Sequence, residues 1–258
     1  MRRRYFFFDI DGTLAAGPIA HRFVPESTKR TLAELRRRGH FTAIATGRAH
    51  AMARPYMEEL GLENMVCDGG AGLVVDGELL GIEPLERDAC LRVLDECERL
   101  GVTWAFSPDD SRRRFTREPR YDELVRDSYM DTIVDPRLDY HDAPAFHKLY
   151  IVCTAEQERD IPSLAGVPTA RFSPHVLFVE PVDKGAGIKR LMARLGAPER
   201  DVVVFGDGSN DVSMFLPEWT SIAMGNAIDE LKARANYVTA DADADGIMLA
   251  CRHFGWID

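Results

Sequence analysis

Apolar residues fall in short runs over the first eighty positions, and stretches with helical spacing separate them. Tyr5-Phe6-Phe7-Phe8-Asp9 is a compact aromatic run of the kind that forms a buried strand. Pro25-Glu26-Ser27 opens a helix with Leu32 and Leu35 on one face, basic residues at 36–38 in its last turn and Gly39 as its stop. Phe41 to Ala45 predicts a second strand, and Ala49 to Leu60 a helix closed by Gly61. Met65-Val66-Cys67 predicts a third strand, and residues 73–80 a hairpin around Asp76-Gly77. Strand and helix alternating at this spacing imply parallel βαβ units with helices on both faces of the sheet.

The rhythm changes between 83 and 182. A helix is expected over Arg87 to Leu100, with Leu94, Cys97 and Leu100 on one stripe. Proline-punctuated loops follow, with two β-rich runs at 148–153 and 175–180. This stretch reads as an α+β insert with its own sheet. After Lys184 the βαβ pattern resumes: a helix carrying Ile188, Leu191 and Leu195, then strands at 201–205, 221–225 and 237–239. The expected architecture is α/β, a Rossmann-like parallel-sheet core over 1–82 and 183–258 with an inserted α+β domain over 83–182.

Length agrees with that division, since 258 residues exceed one minimal domain and suit a core plus an insert. Lys and Arg number 32 against 42 Asp and Glu, a net charge of −10, which argues against a nucleic-acid partner. The five cysteines are odd in number and form no Cys-x-x-Cys pair, so free thiols and a cytoplasmic location are expected. Met1 to Phe8 imitates a signal peptide until Asp9 and Asp11 interrupt it. No run approaches the ~18 apolar residues that span a bilayer, so no membrane partner is expected.

Four segments carry candidate chemistry. Asp9-Ile10-Asp11-Gly12-Thr13 ends the first strand, where parallel sheets form their ligand crevice. Carboxylates at i and i+2 share a side, and at 4 Å they repel by about 1 kcal/mol in water and about 4 at an effective dielectric of 20. A cation between them, or a proton on one, relieves this. Thr46-Gly47-Arg48 ends the second strand and opens a helix, a natural anion seat that is also an ordinary threonine cap. Lys184 precedes a helix that starts with small residues and can present a point charge to a phosphate, although a lone lysine is usually a surface residue. Gly206-Asp207-Gly208-Ser209-Asn210-Asp211 gathers hard oxygens suited to Mg²⁺, and by itself could be a plain turn. Together the four can meet at one sheet edge, as phosphoryl transfer through an aspartyl phosphate needs. The seven histidines show no metal-binding spacing. The basic run at 112–114, with Arg117 and Arg120, reads either as a solvated loop or as an anion-steering edge.

Asp9-x-Asp11-Gly12-Thr13, Thr46-Gly47-Arg48, Lys184-Gly185 and Gly206-Asp207-Gly208-Ser209-Asn210-Asp211 resemble, in order, the four motifs of the haloacid dehalogenase superfamily. Ala223-Met224-Gly225-Asn226-Ala227 is similar to its Cof-type sugar-phosphate phosphatases, subclass IIB. The placement of the insert resembles their C2-type cap. One departure stands out: the subfamily often has Asn-Gly-Ala where this chain reads Gly69-Gly70-Ala71 after Asp68, which bears on substrate choice. The resemblance implies a Mg²⁺-dependent phosphatase acting on a small phosphorylated metabolite, expected to be a sugar phosphate. It implies Asp9 as nucleophile and Asp11 as acid and base. Asp9, the carbonyl of Asp11, Asp207 and Asp211 would serve the metal. Thr46 and Lys184 would bind phosphoryl oxygens, with Gly47 and Asn210 in support and Arg48 as a substrate contact. A phosphomutase would use the same parts, and so would a phospho-acceptor signalling domain without turnover.

Overall fold

A computed structural model describes residues 2–18, 21–127 and 129–258. Among them the chain divides into two compact units: Met1–Arg48, Ala53–Gly81 and Asp183–Asp258 form the first, and Ala49–Met52 with Ile82–Val182 the second.

In chain order the elements begin with β1 (Tyr5–Phe8), α1 (Glu26–Arg37), β2 (Phe41–Ala45), α2 (His50–Glu59), β3 (Met65–Cys67), β4 (Gly72–Val75) and β5 (Glu78–Ile82), all in the first unit except the first turn of α2 and the last residue of β5. The second unit holds α3 (Arg87–Leu100), β6 (Trp104–Ser107), β7 (Arg113–Thr116), α4 (Tyr121–Val125), β8 (Asp131–Val134), β9 (Lys148–Val152), β10 (Thr169–Ser173) and β11 (Val176–Val179). The chain then returns with α5 (Lys184–Arg194), β12 (Val202–Gly206), β13 (Thr220–Ala223), α6 (Asp229–Arg234), β14 (Tyr237–Val238) and α7 (Gly246–His253).

The first unit is one eight-stranded sheet in the order β14-β13-β12-β1-β2-β3-β4-β5. Its strands from β14 to β3 run parallel, and β4 returns antiparallel along β3. Period-two alternation sorts the side chains. Phe6 and Phe8 pack with Leu32 and Leu35 of α1 and Ile247 of α7, while Phe7 packs on the other face with Ile188, Leu191 and Met192 of α5. Both faces of β1 are therefore covered, which is why its sequence is continuously apolar. The α/β class, parallel core and flanking helices expected from the sequence are borne out. The strand order reverses direction between β1 and β12, so the carboxyl ends of these two strands mark the crevice where such sheets bind ligands.

The second unit is a six-stranded sheet, β10-β11-β9-β6-β7-β8. The helix over 87–100 and the strands near 148–153 and 175–180 agree with the sequence, but β6, β7, β8 and β10 were not foreseen. The basic run at 112–114 is a correction to the solvated-loop reading. Arg113 and Arg114 begin β7, and Arg114 is fully buried. Its guanidinium pairs with Asp127 at 2.7 Å and Asp122 at 3.1 Å and lies over the rings of Tyr121 and Tyr150.

Candidate active site

The site is built where the β1 and β12 turns meet. Backbone pairing runs one residue past β1, Asp9 N–H donating to the Phe205 carbonyl at 3.0 Å, so Asp9 starts from a fixed position. The chain then turns at Gly12, whose φ is +89°. A Cβ there would lie 2.2 Å from Asp207 Oδ2, so glycine is required both for the backbone shape and for the carboxylate beside it. Thr13 donates its hydroxyl proton to Asp207 Oδ1 at 2.8 Å, tying the two turns together.

Lys184 is the first residue of α5, whose N-terminus is capped by the Asp183 side chain accepting from Ala186 N–H at 2.8 Å. Its Nζ, buried, donates to Asp9 Oδ1 and to Asp211 Oδ1, both at 2.6 Å. Asp211 takes two further donors on Oδ2, the backbone N–H groups of Asp207 (2.8 Å) and Gly208 (2.9 Å). It therefore shapes the 206–211 turn from inside. Asp9, Asp207 and Asp211 each offer an oxygen within 4.8 Å of the others.

Three carboxylates around one ammonium leave a surplus of negative charge in a largely dry place. Burial pushes the Asp9 carboxyl up, to about 8; Lys184 pulls it down, while Asp211 and Asp207 add to the rise. Burial and Asp211 likewise push Asp207 up, to about 6, against the Thr13 hydrogen bond. Lys184 is held protonated: burial opposes its charge, but Asp211 and Asp9 outweigh burial. Hard, mutually repelling oxygens of this kind fit a divalent cation such as Mg²⁺. Asp9 and Asp207 fit best as direct ligands, because both oxygens of Asp211 already accept hydrogen bonds.

The carboxylate of Asp11 stands apart from that acid group. Arg48 grips it with two hydrogen bonds, Nε to Oδ2 at 2.7 Å and Nη2 to Oδ1 at 2.8 Å. Burial alone would raise its pKa, but the hydrogen bonds and charge of Arg48 win and the group sits below the ordinary aspartate range. Arg48 in turn lies over the Tyr56 ring, 5.2 Å from its centroid. Thr46, buried at the end of β2, accepts from Arg48 N–H through Oγ1 at 3.1 Å. Asn210 is exposed, and Gly47 and Gly208 lie against its side-chain amide.

Two side chains of the site were not among the candidates. Arg22 Nε lies 3.4 Å from Asp11 Oδ1, yet nothing in its surroundings from 17 to 24 marks it in the sequence. Asn226, present in the motif at 223–227, was given no role. Its amide donates to the Gly12 carbonyl at 2.8 Å and its Oδ1 accepts from Ala242 N–H at 2.9 Å, so it braces the turn after β1.

A family model for haloacid dehalogenase-like hydrolases matches residues 6–250. The chain belongs to the haloacid dehalogenase-like hydrolases. It is 32% identical to "Putative phosphatase YkrA" of Bacillus subtilis over 99% of both chains. Among solved structures, a hypothetical protein of Geobacillus kaustophilus HTA426 superposes with a TM-score of 0.85 at 29% identity, over 99% of this chain and 100% of that one. The HAD subclass IIB sugar phosphatase BT4131 superposes with a TM-score of 0.79 at 27% identity, over 98% and 100%. This haloacid dehalogenase-like hydrolase is accordingly a phosphatase, a phosphoric monoester hydrolase, and the subclass IIB likeness read from its motifs is borne out. Among its described residues no helix is long and apolar enough to cross a membrane.

Proposed function

We propose that this phosphatase hydrolyses a small phosphorylated metabolite, a sugar phosphate, with Mg²⁺ and with the phosphoryl group carried transiently on Asp9. The observation that carries the reading is the buried Lys184–Asp9 contact at 2.6 Å beside Asp207 and Asp211. Lysine fixes one oxygen of Asp9 and favours its ionised form against the burial that raises its pKa, and a bound divalent cation would complete the ionisation that a nucleophile needs.

In the first half-reaction an Asp9 oxygen forms a bond to phosphorus as the ester P–O bond breaks. The leaving oxygen takes a proton from the Asp11 carboxyl group, which can carry one once Arg48 has turned to the substrate and no longer grips both its oxygens. In the second, the Asp11 carboxylate takes a proton from water, the water oxygen bonds to phosphorus, and the bond to Asp9 breaks. Phosphate departs and Asp11 is left protonated for the next turn. Lys184 and Thr46 meet the transferring oxygens, with Gly47 and Asn210 supporting that seat and Arg48 contacting the substrate. Asp9, Asp207 and the main-chain carbonyl of Asp11 would hold Mg²⁺, with Asp211 behind them. When bound, the ion supplies the positive charge that lets a phosphate dianion approach four carboxylates. The insert over 83–182 is assigned as a C2-type cap on its α+β make-up and its place in the chain. The sugar-phosphate assignment draws on the likeness to BT4131.

The test is phosphate release from a panel of hexose phosphates, pyridoxal phosphate and flavin mononucleotide, with and without Mg²⁺. The reading expects metal-dependent turnover that is best on a hexose phosphate and lost in Asp9→Asn. Equal rates in the wild type and Asp9→Asn would remove the nucleophile assignment.

A further inference from the structure

The Asp11 carboxylate is shared between two guanidinium groups of unequal grip. Arg48 makes the bidentate contact, at 2.7 and 2.8 Å. Arg22 approaches the same Oδ1 from another element, the segment between the nucleophile turn and α1, and stops at 3.4 Å. Its Nη1 reaches the Ala15 carbonyl at 3.4 Å, and its buried Nε donates a hydrogen bond to no described residue. A buried charged donor that has an ion contact at 3.4 Å but no hydrogen bond among the described residues is poorly satisfied. A small shift of Asp11 toward Arg22 relieves it.

On the reading above, Arg48 has a second task at the substrate, and taking it up loosens its hold on Asp11. We propose that Arg22 is a positioning residue, the one that keeps the Asp11 carboxyl group in place when Arg48 turns to the substrate. Asp11 then exchanges one guanidinium for the other and is not released into solvent. Arg22 itself does not touch the phosphoryl group. The inference rests on the proposed phosphatase mechanism.

The experiment compares wild type, Arg22→Gln, Arg22→Lys and Arg48→Gln with Mg²⁺. It records kcat and KM on the best phosphomonoester, orthovanadate binding by calorimetry, and thermal midpoint. Arg22→Gln is expected to lower kcat by roughly tenfold or more, part of the roughly 10²–10⁴ that positioned proton transfer contributes. Its KM and orthovanadate affinity should stay near wild type, and Arg22→Lys should recover part of kcat. Arg48→Gln should weaken orthovanadate binding. Unchanged kcat in Arg22→Gln overturns the proposal. So does a loss of orthovanadate affinity matching that of Arg48→Gln, which would put Arg22 on the phosphoryl group. A lowered thermal midpoint with no rescue by lysine overturns it as well, by making Arg22 merely structural. A wild type with no turnover on any substrate removes the phosphatase mechanism first, and the proposal falls with it.

Discussion

Lys184 Nζ and Asp9 Oδ1 stand 2.6 Å apart although 175 positions separate the residues in the chain. The contact joins the first turn of α5 to the end of β1, and Asp211 closes it from the β12 side at the same distance. One ammonium thus holds two acids from two different turns.

Removing it leaves buried carboxylates facing each other. Lys184→Met is expected to lower kcat by about 10² or more, as loss of a donor to a transferring group does. Without metal it should also destabilise the fold by about 3–5 kcal/mol, as a buried ion pair losing one partner does. Mg²⁺ should restore part of that stability. Steady-state kinetics and urea denaturation with and without Mg²⁺ check both halves.

Gly12→Ala tests the turn that follows β1. The new methyl group would meet Asp207 Oδ2 at 2.2 Å, on a backbone whose φ of +89° disfavours a side chain by about 1–3 kcal/mol. Weaker Mg²⁺ binding by calorimetry and a lower kcat are expected, with the far-ultraviolet circular dichroism retained.

Arg114 tests the second unit. It donates to Asp127, Asp122 and Thr132 and lies over the rings of Tyr121 and Tyr150, and the Asp127 side chain is only 6% exposed. Arg114→Met should lower stability by about 3–5 kcal/mol, because it strands Asp127. Arg114→Lys should recover little, since a lysine cannot supply the planar fork these acceptors use. Denaturation midpoints decide it.

His40 sets a pH dependence of stability. It is buried, accepts Arg4 N–H on Nδ1 at 3.0 Å, and packs edge-on against Phe6. Burial, with the charges of Arg38 and Arg4 behind it, lowers its pKa from 6.5 and keeps the folded imidazole neutral. The unfolded chain gains a proton that the folded one refuses. The contribution is therefore complete above about pH 6.5 and is lost as pH falls through the lower folded value. Denaturation midpoints should drop more between pH 7.5 and 5.5 in the wild type than in His40→Gln; equal drops would remove the assignment.

The core was legible because its signals are local. Apolar runs such as 41–45 and caps such as Gly39 name an element without reference to the rest of the chain. The insert was harder for the opposite reason. Arg113-Arg114-Phe115-Thr116 looks like surface, and Asp127, Asp122, Thr132 and two tyrosines from other segments make Arg114 an interior residue. The motifs at 9–13, 46–48, 184 and 206–211 carry their chemistry in residue type and spacing, so the acids and the lysine could be named in advance. Arg22 could not, because its approach to Asp11 depends on the bridge between Ala16 and Phe23, which no local pattern announces. Likewise, the Asp11 carboxylate meets Arg48 and does not join the Asp9, Asp207 and Asp211 group, contrary to the expectation that positions 9 and 11 share a side; side-chain direction decides this, and spacing alone does not give it.

The proposed reaction stands or falls on the covalent use of Asp9. Asp11→Asn keeps the nucleophile and lacks the base for the second half-reaction, so with an aryl phosphate, whose leaving oxygen needs no proton, it should accumulate the intermediate. Acid quenching followed by peptide mass analysis should then find one phosphoryl group on the peptide that contains Asp9, and none in the Asp9→Asn, Asp11→Asn double variant. A phosphoryl group on another residue, or undiminished phosphate release from Asp9→Asn, would contradict the account.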